Sequence, residues 1–281
     1  ARTLSREAKE TVSVYLKIDT GLGRLGEPLA SAREFVERTS ELKHLQIDGI
    51  YTHVPFSQTS NASWAVEKLK AFDHFLATLE SDGHAFPVTQ AMASSCLLAG
   101  LKDNCSAVCL GHALYGLSPF SVESHDTHKD LKPVLTGLKS TLIHIGHLQA
   151  GSDIAIGGLY GLERPRTVGV LPLGLAQGIS SPQPDKELVT LVAGRRCRVL
   201  SVSLEHCTID LDGAGHVVVG DPVTLIGYDG EEQMTLAEVA GASGIGPLEM
   251  LMQFSGRIPI RYPGKSEGAP KPQEKFCANK H

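Results

Sequence analysis

Residues 21–26 read GLGRLG and match G-x-G-x-x-G between an apolar run and a helix-like pattern. In that setting the pattern is a dinucleotide fingerprint, whose glycines let a pyrophosphate approach the backbone and the start of a helix. The run before it, TVSVYLKID, carries Tyr15, Lys17 and Asp19 at every second position. All three therefore fall on one face of a strand. A first Rossmann strand is buried on both faces and reads as continuously apolar. A polar inward stripe better suits the wall of a barrel beside an active site. Lys17 and Asp19 then point into a common interior, where an ammonium needs a partner or a modification. Arg24 sits just past the strand, at the rim where barrel chemistry is found, and its planar fork suits a carboxylate. Taken alone, it reads equally as a surface arginine in a Gly-rich turn.

His53 ends a second apolar run, LQIDGIYTHV, and so falls at the same rim; a lone histidine there is commonly a hydrogen-bonded structural residue. Ser94 and Ser95 precede a short helical run, and Gly111 follows another strand pattern. Hydroxyls and exposed N–H groups at such ends can hold a phosphate, although Ser-Ser pairs are also ordinary helix caps. Cys105, Cys109 and His112 could ligate a metal but lack a matching second half, so buried thiols beside a strand are the expectation. No G-x-S-x-G nucleophile turn and no H-E-x-x-H zinc motif occurs.

Positioning these residues falls to a chain of two characters. Over the first 120 residues short strands alternate with helical patterns: VYLKID, a helix opening at Glu27-Pro28, LQIDGIYTHV, a helix through Ala65, Leu69, Phe72, Leu76 and Leu79, then AFPVTQAMA and SAVCLGHALYG. Alternation of this kind implies parallel βαβ units, about four of them, half of an eight-unit barrel. From Val134 the sequence is mostly strands, with turn signals at VAGRR and DLDG. A capping box, Thr235-x-x-Glu238, opens a short helix; PLEMLMQF is a second, and GRIPIRY closes the domain. The expected division is residues 1–128, 129–263 and a disordered Pro-, Lys- and Gly-rich tail over 264–281.

The 281 residues include 26 basic and 31 acidic side chains, a net charge of -5. With 42% hydrophobic residues this is a globular composition with no basic footprint for nucleic acid. No run approaches the ~20 apolar residues of a membrane helix. Six cysteines without a C-x-x-C pair fit a reducing compartment, hence the cytoplasm, with an organelle left open. The first residue is Ala, and an apolar run begins almost at once, so the expectation is a chain processed or shortened at its front.

The segments VYLKIDTGLGRLG, GIYTHV, GHALYGLSP, LKPVLTGLKSTLIHIGHLQAG, VGVLPLGLAQG, RVLSVSLEHCTIDL and GDPVTLIG, with GRIPIRY, resemble in order the motifs of the alanine racemase family. The resemblance runs from Val12 to Tyr262. It implies a fold-type III enzyme: a (β/α)8 barrel holding pyridoxal 5'-phosphate (PLP), here its C-terminal half, followed by a β-rich C-terminal domain. It further implies head-to-tail homodimers and interconversion of L- and D-alanine, with a lysine and a tyrosine as opposed acid/bases.

By the same resemblance Lys17 matches a lysine that is carbamylated in many members and steadies the neighbouring arginine. Arg24 matches that arginine, a contact of the cofactor's phenolic oxygen and the substrate carboxylate. His53 matches the histidine behind the catalytic tyrosine, and Ser95 and Gly111 match phosphate contacts. Other positions depart from the family. Leu175 stands at the catalytic tyrosine, Cys109 at the arginine that bonds the pyridine nitrogen, and Leu204-Glu205 at a Met-Asp pair. Gly256 aligns with a phosphate-binding tyrosine. The strand carrying the cofactor-anchoring lysine has no counterpart, as if the chain began at the barrel's fifth strand. These departures imply weak or absent racemisation, or a non-catalytic paralogue. Two open strand edges would invite association.

Overall fold

The structure is a computed structural model that describes residues 10–120, 131–154, 160–254 and 256–262. The boundary expected at 128/129 and the tail over 264–281 lie outside the described residues.

The first region is a parallel sheet with helices on one face. Its strands are β1 (Val12–Asp19), β2 (Glu27–Pro28), β3 (Leu45–Val54), β4 (Val88–Ala93) and β5 (Ala107–Cys109). They lie in the order β2-β1-β3-β4-β5, every pair parallel. Helices α1 (Ala32–Ser40) and α2 (Ala62–Ser81) follow β2 and β3, and a short α3 (Ser94–Leu98) follows β4.

Alternation along each strand decides which face the helices cover. Leu16 and Ile18 of β1 and Ile50 and Val54 of β3 are buried with Val36 of α1 and Ala65, Leu69, Phe72 and Leu79 of α2. The a/d-like spacing read in α2 is thus the packing face, with Phe75 buried there too and Leu76 at its margin. The other face carries Tyr15, 52% exposed, and Lys17, paired in register with Gly49 and Tyr51. All-parallel sheets are normally covered on both faces. One face is covered by helices and the other carries polar side chains, and no barrel closes among the described residues.

The helix expected at Glu27-Pro28 is corrected: these two residues form β2, pairing with Ile18 and Asp19, and the helix begins at Ala32. The Leu29 N–H closes this short ladder on the Asp19 carbonyl at 3.2 Å, and Ser31 donates its hydroxyl to Glu27 at 2.6 Å.

The second region is antiparallel. Strands β6 (Leu138–Thr141), β7 (His144–Leu148), β8 (Asp153–Ile154), β9 (Tyr160–Gly161), β10 (Arg166–Leu171), β11 (Val189–Val192), β12 (Arg195–Val202), β13 (Cys207–Asp210), β14 (Pro222–Asp229) and β15 (Glu232–Met234) follow in turn. The main sheet runs β15-β14-β11-β12-β13-β10-β7, with β6 on β14. Leu171, Leu191, Ile209, Val223 and Met250 are among its fully buried core. Helices α4 (Leu236–Ala242) and α5 (Pro247–Gln253) pack on this core. The capping box is formed as read: Thr235 accepts the Glu238 N–H at 3.1 Å and gives its own N–H to Glu238 at 2.7 Å. GRIPIRY forms no strand among the described residues, and Ile260 and Tyr262 are exposed.

Candidate functional site

Lys17 and His53, with the loops that follow β1, β4 and β5, collect at the carboxyl ends of the parallel strands, where open and closed α/β folds bind ligands. Lys17 and Tyr51 are register partners, and the Lys17 Nζ lies 5.7 Å above the centre of the Tyr51 ring. That aromatic face supplies a partner for the inward ammonium, whose charge also reaches the Asp19 carboxylate without an ion pair between them. His53 is two residues beyond Tyr51 on the same strand face. Burial first, then the Arg24 and Lys17 charges, hold its imidazole below the ordinary pKa of 6.5. The three groups thus share one electrostatic neighbourhood. Arg24 is exposed, and no carboxylate pairs with it or with Lys17 among the described residues.

A cavity of about 390 Å³ brings together six of the residues singled out from sequence: His53, Ser94, Ser95, Cys109, Gly111 and His112. Its volume lies within the range of small-ligand pockets. Ser95 is buried and accepts the Phe56 N–H at 2.9 Å, leaving its own hydroxyl proton to donate. Ser94 accepts the N–H groups of Gly111 (2.9 Å) and Ala113 (3.3 Å), which fixes the turn after β5 to the start of α3. Neither serine is a helix cap; the cap position is Ala93. A side chain at Gly111 would meet nothing within 4 Å, so the glycine keeps this wall open.

The cysteine reading is corrected in part. Cys105 is half-buried, its thiol pushed up to about 12 by desolvation and the Asp103 charge, but Cys109 is exposed at the end of β5. His112, also held below 6.5 by burial, lines both this cavity and a larger cleft of about 1050 Å³. That cleft is walled on its far side by Pro247, Leu248 and Met252 of α5, so it joins the sheet region to the β domain.

The remaining positions lie on the β domain and line neither cavity. Leu175 opens a turn after β10, and Leu204 sits in the β12–β13 connection. The Leu175 N–H reaches Ser203 O at 3.0 Å and the Ala176 N–H reaches Leu204 O at 2.7 Å, so the two leucines are neighbours. Both are exposed, at 47% and 65%. Gly174 lets the two loops touch: any side chain there would strike the backbone of Ser203, Glu205 and His206. Gly256 has open space around it.

Three features escape a reading of residue types alone. The first is Asp19, expected to point inward with Lys17 and here corrected, since its carboxylate faces its own loop: Oδ1 accepts the N–H groups of Gly21 (2.8 Å), Leu22 (2.8 Å) and Gly23 (3.2 Å), and Oδ2 accepts that of Gly23 at 2.9 Å. The amides a pyrophosphate would need are therefore engaged by a carboxylate, and no helix follows directly. An Asp preceding G-x-G is the available signal, because Asp accepts from the backbone just ahead of it. The second is the buried pair Thr20–Thr52, hydroxyl to hydroxyl at 2.9 Å, which ties the ends of β1 and β3. The third is the Ser94 hydroxyl.

Two family models match the chain: the alanine racemase N-terminal domain over residues 1–119 and its C-terminal domain over residues 135–262. An alanine racemase of Streptococcus gordonii is 31% identical over 254 residues, and one of Methanococcus maripaludis 28% over 251. Each alignment covers 89% of this chain, which spans 66% of the length of those relatives. The crystal structure of alanine racemase from E. faecalis superposes with a TM-score of 0.79 at 32% identity, covering 90% of this chain and 66% of that one. That of the Bacillus anthracis enzyme, solved with bound L-Ala-P, gives 0.76 at 26%, covering 87% and 63%. With both family domains matched in order over the two regions described above, the chain belongs to the PLP-dependent alanine racemase family.

Proposed function

We propose that this chain binds PLP and a small amino acid such as L- or D-alanine, and that it racemises the amino acid slowly at best. The observation that carries the second half is Leu175. It stands on an exposed turn where the family's tyrosine would take or give the α-proton, and its side chain has no proton to exchange. Losing a general acid/base costs ~10²–10⁴ in rate.

The cavity of about 390 Å³ is of a size for a small cofactor and offers a donor hydroxyl at Ser95 and an open glycine turn at Gly111. When bound, the cofactor would delocalise the charge left on the α-carbon. Ser95 and the turn at Gly111 would hold its phosphate, and Cys109 would stand beside the pyridine nitrogen. A thiol there gives a weak hydrogen bond in place of a charged fork. Arg24 would hold the phenolic oxygen and the amino-acid carboxylate, with Lys17 steadying it. His53, kept neutral at pH 7 by burial and two cations, would accept or donate one hydrogen bond behind them.

Head-to-tail homodimers, a cytoplasmic location and a domain division near residue 128 belong to the same reading. Exposed Leu175 and Leu204 would then face the partner's cavity. Cys109 and Leu175 together support a second reading, a non-catalytic paralogue that binds PLP and dimerises.

The test is equilibrium dialysis of the 281-residue chain with PLP, followed by a D-amino-acid oxidase assay on L-alanine. Retention of PLP with D-alanine formation no faster than free PLP gives is expected. Turnover within tenfold of a family enzyme assayed in parallel would overturn the slow-racemisation claim, and failure to retain PLP would overturn the binding claim.

A further inference from the structure

We infer that Asp19 is the positioning residue for Arg24, and that the loop over residues 20–28 is a clasp closed on this single side chain and its backbone. The inference rests on the reading of Arg24 as a carboxylate contact. The outgoing limb of the loop is held by the Asp19 carboxylate, through four contacts with the N–H groups of Gly21, Leu22 and Gly23. The returning limb is held by the Asp19 backbone: Pro28 pairs with it in β2, and the Leu29 N–H reaches its carbonyl at 3.2 Å. Between the limbs Gly26 packs on the strand end so closely that a Cβ would come within 2.9 Å of the Asp19 N and 3.0 Å of the Lys17 O. Outside, the stem of Lys68 from α2 lies over Gly21.

Arg24 is the residue immediately after the last amide that Asp19 holds. It makes no ion pair of its own among the described residues, and the clasp sets where its backbone, and so the base of its side chain, stands. Charge-assisted hydrogen bonds to a carboxylate are about twice as strong as neutral ones, and misplacing a binding group by ~1 Å can cost ~10²-fold. Asp19 acts through Arg24 rather than on ligand or cofactor.

The experiment titrates the 15N-labelled 281-residue chain with propionate, the carboxylate of alanine without its amine. The Arg24 Nε–Hε resonance, assigned by its loss in R24K, reports binding. In the wild type it should shift on titration. D19A should bind about tenfold or more weakly, with the other arginine resonances unmoved. D19N, which keeps one acceptor oxygen, should fall between, a partial rescue that a merely structural role would not produce in the ligand titration. Should D19A fail to fold, D19N alone carries the test, with a loss of about threefold expected for a neutral acceptor. Unchanged propionate affinity in D19A, or in D19N where D19A is unfolded, would overturn the clasp and leave the Arg24 reading standing. No shift in the wild type would overturn the Arg24 reading, and the inference with it.

Discussion

The parallel sheet and the β domain present the residues singled out from sequence in opposite ways. In the sheet region Lys17, Ser95, Gly111 and the Arg24 loop are each held by a contact that a side chain makes. Lys17 faces the Tyr51 ring, Ser95 takes the Phe56 amide, Gly111 gives its amide to Ser94, and the Arg24 loop closes on Asp19. In the β domain Leu175 and Leu204 are exposed, and their loops are joined by backbone hydrogen bonds. A residue bound into its surroundings cannot change without a structural cost. A residue presented by backbone alone can, and Leu175 and Leu204 are presented in that way.

The contrast first requires that each region have its own core. Phe72 of α2 and Leu191 of β11 are both fully buried, in separate clusters. Truncation to alanine should cost ~3–5 kcal/mol for Phe72 and ~2–5 kcal/mol for Leu191. Trp64, the single tryptophan, packs against the sheet-region core and reports that region alone. In urea F72A should move the Trp64 fluorescence midpoint more than the strand circular-dichroism midpoint, and L191A the reverse. Coincident shifts in both variants would make the two regions one cooperative unit and break the contrast.

A smaller effect tests whether the sheet region's polar contacts are part of its framework. Thr20→Val leaves the buried Thr52 hydroxyl without its 2.9 Å partner while keeping the shape. An orphaned buried hydroxyl costs ~1–3 kcal/mol, to be read as a lowered Trp64 midpoint. A change under ~0.3 kcal/mol would mean that the β1–β3 end is held by the ladder alone.

What could be read from residues follows the same division. Strand boundaries in β3, the burial face of α2 and the capping box at Thr235 are legible because period and cap chemistry are local. The two-residue β2 is not, since Glu-Pro is as good a helix opening as a strand end until Ile18 and Asp19 arrive to pair with it. Proximity of Lys17, Arg24 and His53 follows from strand parity once the strands are known parallel. That Asp19 turns back on its own loop, or that Ser94 rather than Ser95 holds Gly111, depends on side-chain direction, which spacing does not encode. Leu175 and Leu204 become neighbours only through the β10–β13 pairing, some thirty residues apart in sequence.

The shared field at His53 makes a finer test. Because the folded pKa lies below 6.5, the unfolded chain takes the proton first as pH falls. The His53 contribution to stability is therefore full above pH ~6.5 and declines as pH drops through the lowered folded value. Arg24→Gln removes one of the two cations but not the burial that is the larger cause. The His53 Cε1–H midpoint measured by NMR should rise and still stay under ~6.5. An unmoved midpoint would separate Arg24 from the cluster and loosen the region it is meant to typify.

The smallest expected effect tests the other side of the contrast. Leu175 is 47% exposed, its amide bonded to Ser203 O and its loop set by Gly174, with none of these contacts made by the side chain. Leu175→Tyr should then change the unfolding free energy by no more than ~0.5 kcal/mol, as surface substitutions do. The same exchange puts a phenol, an ionisable acid of pKa ~10, on an exposed turn. If the β domain carries residue 175 as freely as its geometry implies, L175Y will be structurally silent, with unchanged circular dichroism and melting, and any gain in proton exchange at the alanine α-carbon in deuterated water can be assigned to the hydroxyl. A destabilisation above ~1 kcal/mol would show that the leucine is held by its surroundings after all, and that the two regions differ in sequence but not in how tightly they fix their functional positions.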